Sequence, residues 1–299
     1  MIINRTNLDN FFVGLSTAFN GALGQADTKW QRVATFVPST TRENTYAWLG
    51  KVSSLREWLG DRVLDSVAAD GYTIRNRKFE KTLQVPKDDI EDDQLGIYTP
   101  LSSELGMAAA RLPEELVFGL LAAGFTTPCY DGQNFFDADH PVVQADGSTV
   151  SVSNVQAGAG APWFLIDDSR VMKPIIYQER SPARLVAKMD PMTSDTVFMR
   201  DEFVYGADMR CNVGFAFWQF AFGSKAPLNK ANFDAAFDAM TSQKGERGVP
   251  IGVRPRILVI PPQLRTQADE IVRVARLQSG ADNPNFNLVE VVIADYLPV

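Results

Sequence analysis

The chain has 299 residues, 45 % of them hydrophobic, and 29 Lys and Arg against 36 Asp and Glu give a net charge of −7. That length and composition allow one large domain or two ordinary ones with a sizeable core and exclude wholesale disorder, while the acidic balance argues against a dedicated nucleic-acid or acidic-membrane binder. Two distant cysteines, Cys129 and Cys211, exclude a disulfide scaffold or Cys-rich zinc site, and a single histidine, His140, excludes a histidine cluster within one chain.

Residues 6–24 read as an amphipathic helix, with Leu8, Phe11, Phe12, Leu15, Phe19, Ala22 and Leu23 on one face. Thr6 is the expected cap, Asp9 stands in capping-box spacing, and Gly24 is the stop. Such a helix packs on its own core or lies as an arm on a neighbouring subunit; the paired Phe11 and Phe12 keep both readings open. No signal-peptide pattern precedes it, and no run approaches the roughly 18 apolar residues of a membrane span. The expectation is a chain folded in a reducing cytoplasm, without a membrane partner.

Strands are expected at Trp30 to Val37 and Tyr46 to Leu49, around a turn at Pro38 to Thr41. Tyr72 to Val85 then reads as one long strand of changing phase. Its early apolar residues, Tyr72 and Ile74, are even-numbered, and its late ones, Phe79, Leu83 and Val85, are odd-numbered. Between them lies the polar stretch Arg75-Asn76-Arg77-Lys78. The pattern fits a projecting ribbon that touches different partners at base and tip, or a bulged strand in an ordinary sheet. Asp88-Asp89-Ile90-Glu91-Asp92-Asp93 follows. It reads as a solvated turn ahead of a helix. It lacks the loop pattern of a calcium site, and a salt contact with the basic ribbon of another copy is a third reading.

A long helix is predicted from Thr99 to Ala123, capped by Thr99 with Pro100 in first position, interrupted at Pro113 and ended by Gly124; about 25 residues make it on the order of 36 Å long. Residues 126–162 carry turn signals. From 163 the chain reads as β, at Trp163 to Ile166, Ile175 to Tyr177, Arg184 to Lys188, Thr196 to Tyr205 and Met209 to Phe222. The last is apolar on both faces, as for a central strand or one covered by another molecule. The remainder is α/β, with a helix from Asn229 to Lys244, a strand from Arg256 to Ile260, a helix from Leu264 towards Gly280 and a strand from Leu288 to Ile293. The fold class expected is α+β.

Catalytic motifs are missing. There is no P-loop and no G-x-S-x-G elbow, and Gly158-x-Gly160 lacks the third glycine of a dinucleotide fingerprint. Asp137-x-Asp139 starts like a calcium loop but lacks its glycine and closing glutamate. A Cys129–His140 pair has no supporting pattern. No catalytic, cofactor-binding or metal residue is assigned, and no cofactor is expected.

Several stretches, in order along most of the chain, resemble one family. They include Leu55-Arg56-Glu57-Trp58-Leu59-Gly60-Asp61-Arg62, Tyr72-Thr73-Ile74-Arg75-Asn76-Arg77-Lys78-Phe79-Glu80, the acidic run continuing to Tyr98, and Phe136-x-x-Asp139-His140-Pro141. Trp163-Phe164-Leu165-Ile166-Asp167, Lys173-Pro174-Ile175-Ile176-Tyr177-Gln178-Glu179-Arg180, Gly214-Phe215-Ala216-Phe217-Trp218-Gln219, Gly223-Ser224-Lys225-Ala226 and Val259-Ile260-Pro261-Pro262 complete the set. Together they resemble the major head (capsid) subunits of Mu-like phages, the T-protein family.

The resemblance implies the Hong Kong 97-type capsid fold. Its parts would be an N-arm (1–26), peripheral-domain residues (27–50), an extended E-loop (51–86), the peripheral domain with its spine helix (87–125), an axial domain or insertion (126–174), the peripheral sheet (175–224) and the axial α/β part (225–299). It implies self-assembly into pentamers and hexamers of an icosahedral head. Scaffold, portal and decoration proteins would be partners, and double-stranded DNA would be enclosed without specific binding. The expected inter-subunit contacts are Phe11, Phe12, Trp58, Tyr72, Arg75, Arg77 and Phe79, with Asp92 or Asp93 meeting the arginines of an adjacent copy. Some relatives join subunits by a Lys–Asn isopeptide bond. The expected loop tip, Gly60 to Gly71, contains no Lys, and Lys51, Lys78 and Lys81 lie toward its base, so no crosslink is expected. The rival readings are an encapsulin-like compartment of the same fold, a hydrolase using Cys129 and His140, and a minor structural protein such as a decoration protein.

Overall fold

The structure, a computed structural model, describes residues 3–47, 49, 71–92, 95–144, 146–188, 195–245, 248–277 and 279–297. In chain order the described helices are α1 (Arg5–Gln25), α2 (Lys87–Glu91), α3 (Tyr98–Ala123), α4 (Asp195–Arg200), α5 (Lys230–Thr241) and α6 (Arg265–Val272). The strands are β1 (Ala34–Pro38), β2 (Glu43–Tyr46), β3 (Tyr72–Arg75), β4 (Arg77–Pro86), β5 (His140–Val143), β6 (Thr149–Val152) and β7 (Val155–Gln156). β8 (Trp163–Ile166), β9 (Ile175–Lys188), β10 (Glu202–Phe215), β11 (Ala221–Ser224), β12 (Ile257–Ile260) and β13 (Glu290–Ile293) follow.

They form two principal sheets. One has the order β1-β9-β10-β4, the other β13-β12-β8-β11-β7; β2–β3 and β5–β6 are separate two-stranded ladders. β9 and β10 are 14 residues each and pair antiparallel along most of their length. On β10 the odd residues Phe203, Tyr205, Ala207, Met209 and Cys211 are buried and the intervening even ones half-exposed. Period-2 alternation therefore gives the four-stranded sheet one apolar face, which α1 and α3 cover, and one polar face.

α1 lies along α3 of its own chain, the first of the two readings open in the sequence. Its buried positions are Leu8, Leu15 and Phe19. The close approach needs Gly106 of α3, where a Cβ would stand 2.3 Å from the Phe19 carbonyl oxygen. Ser102 Oγ donates to the Leu15 carbonyl at 2.8 Å. The cap is Asn4, not Thr6; its side chain accepts from Asn7 N at 2.8 Å, so the helix starts one residue earlier than predicted. α3 starts at Tyr98 after a 3-10 turn, Leu95–Ile97, which replaces the expected Thr99 cap. It also runs without interruption through Pro113, whose ring is buried.

Trp30 to Val37 opens as a 3-10 turn, Trp30–Arg32, before β1; Tyr46 ends β2 and does not start a strand to Leu49; and Ile175 to Tyr177 and Arg184 to Lys188 are parts of one strand, β9. Three further strand expectations are corrected. Tyr72 to Val85 is two strands, broken at Asn76: β3 pairs with β2, and β4 pairs with β10. Asn76 is buried at the break. It donates to Ser39 Oγ (2.9 Å) and the Thr41 carbonyl (3.0 Å) and accepts from Gln178 Nε2 (2.8 Å). The change of apolar phase is this one-residue interruption. Second, Thr196 to Tyr205 begins as helix α4, which Asp201 ends in a left-handed conformation (φ 56°) before β10 starts. Third, Met209 to Phe222 is not one strand. β10 ends at Phe215, a 3-10 turn spans Trp218–Phe220, and β11 joins the other sheet. The segment is apolar on both faces because it crosses the interior between the two sheets of its own chain.

The core divides at the five-stranded sheet. Trp163, Phe164, Leu165 and Ile166 of β8 are all fully buried. Phe164 and Ile166 face a cluster with Phe118, Phe135, Phe215 and Trp218; Trp163 and Leu165 face one with Phe222, Phe233, Met240 and Leu258, over which α5 and α6 lie. At about 25 cal/mol per Å2 of apolar surface, burying each of these large side chains contributes on the order of 2–3 kcal/mol before entropy is counted.

Candidate inter-subunit surface

The sequence-expected contact residues fall into different settings. Phe11 and Phe12 on α1 are half-buried in their own subunit. Phe11 stands edge-on to Tyr98 (6.3 Å between ring centroids) and to Tyr205 (5.5 Å), and Phe12 stacks on Tyr205 (6.3 Å). Tyr72 is tied to the crossing between the sheets: its hydroxyl accepts from Phe215 N at 3.2 Å. β3 comes so close there that a Cβ on Gly214 would meet Ile74 Cδ1 at 2.3 Å. Trp58 and Asp93 lie outside the described residues.

Arg75 and Arg77 do not share a face. Arg77 lies over the ring of Phe79, 5.1 Å from its centroid. Phe79 is half-buried beside α3, in an apolar groove with Leu105, Leu112 and Met209. Arg75 instead lines a hollow of about 600 Å3 with Arg42, Asn76, Lys78, Ser181, Arg184, Asp208 and Arg210. The register builds it: Lys78 is opposite Arg210, and Asp208 is opposite Arg184. By the alternation of β10, these even positions lie on the polar face, away from α1 and α3. Arg184 donates to both Asp208 oxygens, at 2.7 and 3.3 Å, and this pair holds the Asp208 carboxyl below its ordinary pKa. Arg42, Lys78, Arg184 and Arg210 were not expected at the site. Their even or solitary positions carry no apolar signal, and only strand pairing brings them together.

The acidic run is divided by its helix. Asp88 and Asp92 are exposed. Asp89 accepts from the Tyr98 hydroxyl; burial first, and this carboxylate second, push that phenol up to about 12. Glu91 and Asp201 flank Lys87 at 3.8 and 3.6 Å. Such bonds and ion pairs fit a solvated helix start.

Cys129 and His140 come together, but not as a nucleophile and its base. Both are buried. Asp131 stands between them, accepting from Cys129 Sγ at 3.0 Å and facing His140 Nδ1 at 2.7 Å. Burial chiefly, and the neighbouring carboxylate next, push the Cys129 thiol far up, away from the thiolate that nucleophilic attack requires. The Asn154 amide nitrogen bonds the carbonyls of Phe135, Trp218 and Ala221, and its oxygen accepts from Asp137 N. The same oxygen lies 3.2 Å from His140 Nε2. The imidazole stacks on Trp218 at 4.0 Å. Cys129, Asp131 and His140 form the one Cys/His/carboxylate group close enough for metal ligation among the described residues, and hydrogen bonds within the chain already account for their geometry.

Comparison with known proteins identifies the architecture. The chain superposes with a TM-score of 0.87 on a subunit of the procapsid of bacteriophage JBD30, at 48 % identity over 99 % of this chain and 100 % of that one. It superposes at 0.76 on the JBD30 capsid decorated with minor capsid protein trimers, at 41 % identity over 92 % and 93 % of the two chains. A long helix and a shorter one packed on paired 14-residue strands, beside a second α/β sheet, are thus the framework of a phage capsid subunit with the Hong Kong 97-type fold. The family model for the Mu-like prophage major head subunit gpT matches residues 8–297. The major capsid protein of Escherichia phage Mu is 40 % identical over 306 aligned positions, covering 99 % of this chain and all of that one. The chain belongs to the Mu-like gpT major head subunit family. Its role is that of a structural capsid component of the virion, not an enzyme. The hydrolase and encapsulin-like alternatives give way to it.

Proposed function

We propose that copies of this subunit meet through heterologous contacts, close into pentamers and hexamers, and tile an icosahedral head around double-stranded DNA, assembling in the host cytoplasm. The observation that carries the reading is the near full-length superposition on a procapsid subunit. Scaffold and portal proteins are proposed partners; the trimers on the decorated JBD30 capsid support a decoration partner as well. A net acidic lining is compatible with enclosed DNA, which confinement and counterions hold.

In this reading α1 is the N-arm, α3 the spine helix, residues 51–86 the E-loop, and the five-stranded sheet with α5 and α6 the axial domain. The pairing of β4 with β10 supports counting β4 with the peripheral sheet, and the pairing of β11 with β8 supports counting β11 with the axial part. Phe11, Phe12, Trp58, Tyr72, Arg75, Arg77 and Phe79 are the proposed contact residues, with Asp92 and Asp93 as acidic counterparts. Negative-stain microscopy of the expressed protein is the direct test, with shells expected. The Arg75→Glu, Arg77→Glu double variant is expected to yield folded subunits but no shells; intact particles would remove both arginines from the contact. Nuclease-protected DNA inside native particles distinguishes a head from a compartment that holds protein cargo.

A further inference from the structure

We infer that the basic hollow on the polar face of the four-stranded sheet is a docking surface for the acidic α2 segment of a second copy, with Asp88 and Asp92 as the incoming charges. The inference rests on the shell reading above and names a surface and a partner segment within it.

The hollow gathers Arg42, Arg75, Lys78, Arg184 and Arg210 around a single carboxylate, Asp208. Asp208 is engaged by Arg184 on both oxygens. Five lining cations against one lining carboxylate make +4, and Glu43, the cross-strand partner of Arg75, lowers the local charge to +3 in a chain of net −7, so the rest of each copy carries −10. Cations so crowded repel one another, and isolated subunits bear that cost without return. An incoming carboxylate relieves it, and complementary potential selects both partner and register. Arg42, Arg75, Lys78 and Arg184 are exposed, and α1 and α3 lie on the other side of the sheet.

α2 suits the hollow by charge and by place. Asp88 and Asp92 are exposed, while Asp89 and Glu91 are engaged by Tyr98 and Lys87. A copy cannot easily satisfy its own hollow: α2 follows directly on Pro86, whereas Lys78 and Arg210 lie eight residues back along β4, on the order of 26 Å at 3.3 Å per residue. That separation far exceeds the Debye length of about 8 Å at physiological salt. A donor surface and a distant acceptor surface on every copy are what a heterologous contact requires.

The test leaves Arg75 and Arg77 untouched. In the full-length chain, Lys78→Glu with Arg210→Glu, and separately Asp88→Lys with Asp92→Lys, are each expected to give soluble subunits with wild-type circular dichroism and no shells by sedimentation and microscopy. All four changes together are expected to restore particles. Should the charge-reversed chains fail to fold, Lys78→Gln with Arg210→Gln serves instead; its assembly is expected to lose the salt dependence shown by wild type. Lys78→Glu, Arg210→Glu shells at wild-type yield would overturn the inference and leave the shell reading standing. Shells at wild-type yield with less nucleic acid would also overturn it, assigning the hollow to DNA. A loss of shells that the four-fold exchange does not repair would overturn α2 as the occupant. Failure of the wild-type chain itself to assemble would count against the shell reading.

Discussion

Asp131 illustrates how a residue that resembles part of an active site can serve structure instead. Burial alone would raise its pKa, but the bonds from His140 and Cys129 outweigh that and lower it. A carboxylate with a depressed folded pKa stabilises the fold above its unfolded value and loses that contribution as pH falls through the folded one. Asp131→Asn is therefore expected to lower stability by about 2 kcal/mol at neutral pH. The gap between variant and wild type should then narrow below about pH 4. Urea melts of the isolated subunit at the two pH values measure both; an unchanged gap in acid would show that ionisation is not the source. Cys129 and His140 are conspicuous in the sequence because each is scarce. Asp131 and Asn154, which fix their chemistry, are not, since their significance depends on how the 126–154 segment folds back on the Trp218 turn.

At the scale of elements, helices were legible because their spacing, caps and stops are local. α1, α3 and α5 lie where periodicity predicts, with ends displaced by up to three residues; α6 stops at Val272, well short of the expected stop at Gly280, and the six-residue α4 reads as strand. Strands were less so. The phase change at Asn76 was visible, but a ribbon and a broken strand give the same alternation, and the partner strand decides between them. The α1–α3 crossing supplies a sharp test. Gly106→Ala should improve helix propensity by up to about 1 kcal/mol. Its Cβ, however, would meet the Phe19 carbonyl at 2.3 Å. The expected net effect is a loss of about 1–3 kcal/mol as α1 is pushed off. Gly119→Ala on the same helix has no atom within 4 Å to meet and should be neutral or stabilising. Thermal melts that rank the two variants alike would show that backbone approach does not govern the first.

For the whole molecule, the family and its fold were legible because ordered short matches run through most of the chain. The charged hollow was not: its residues come from β3, β4, β9, β10 and the turn before β2, and only the register places Lys78 against Arg210. Covalent reinforcement can be judged from sequence alone. With no Lys between Gly60 and Gly71, an isopeptide link at the expected loop tip has no amine. Denaturing gels of purified heads are expected to show monomer alone, and a ladder of multiples would contradict this.

The long strand β9 is fully buried at Ile175 to Gln178 and then alternates between half-exposed and exposed out to Lys188. Mechanically it is a beam held along both edges, by β1 and β10, as far as Glu179, and along one edge, by β10, from there to Lys188. With one hydrogen-bonded neighbour instead of two, the outer half has less to resist bending than the root. In the shell proposed above, pentamers and hexamers would set slightly different tilts, and the outer half of β9 is where the subunit is expected to take up the difference.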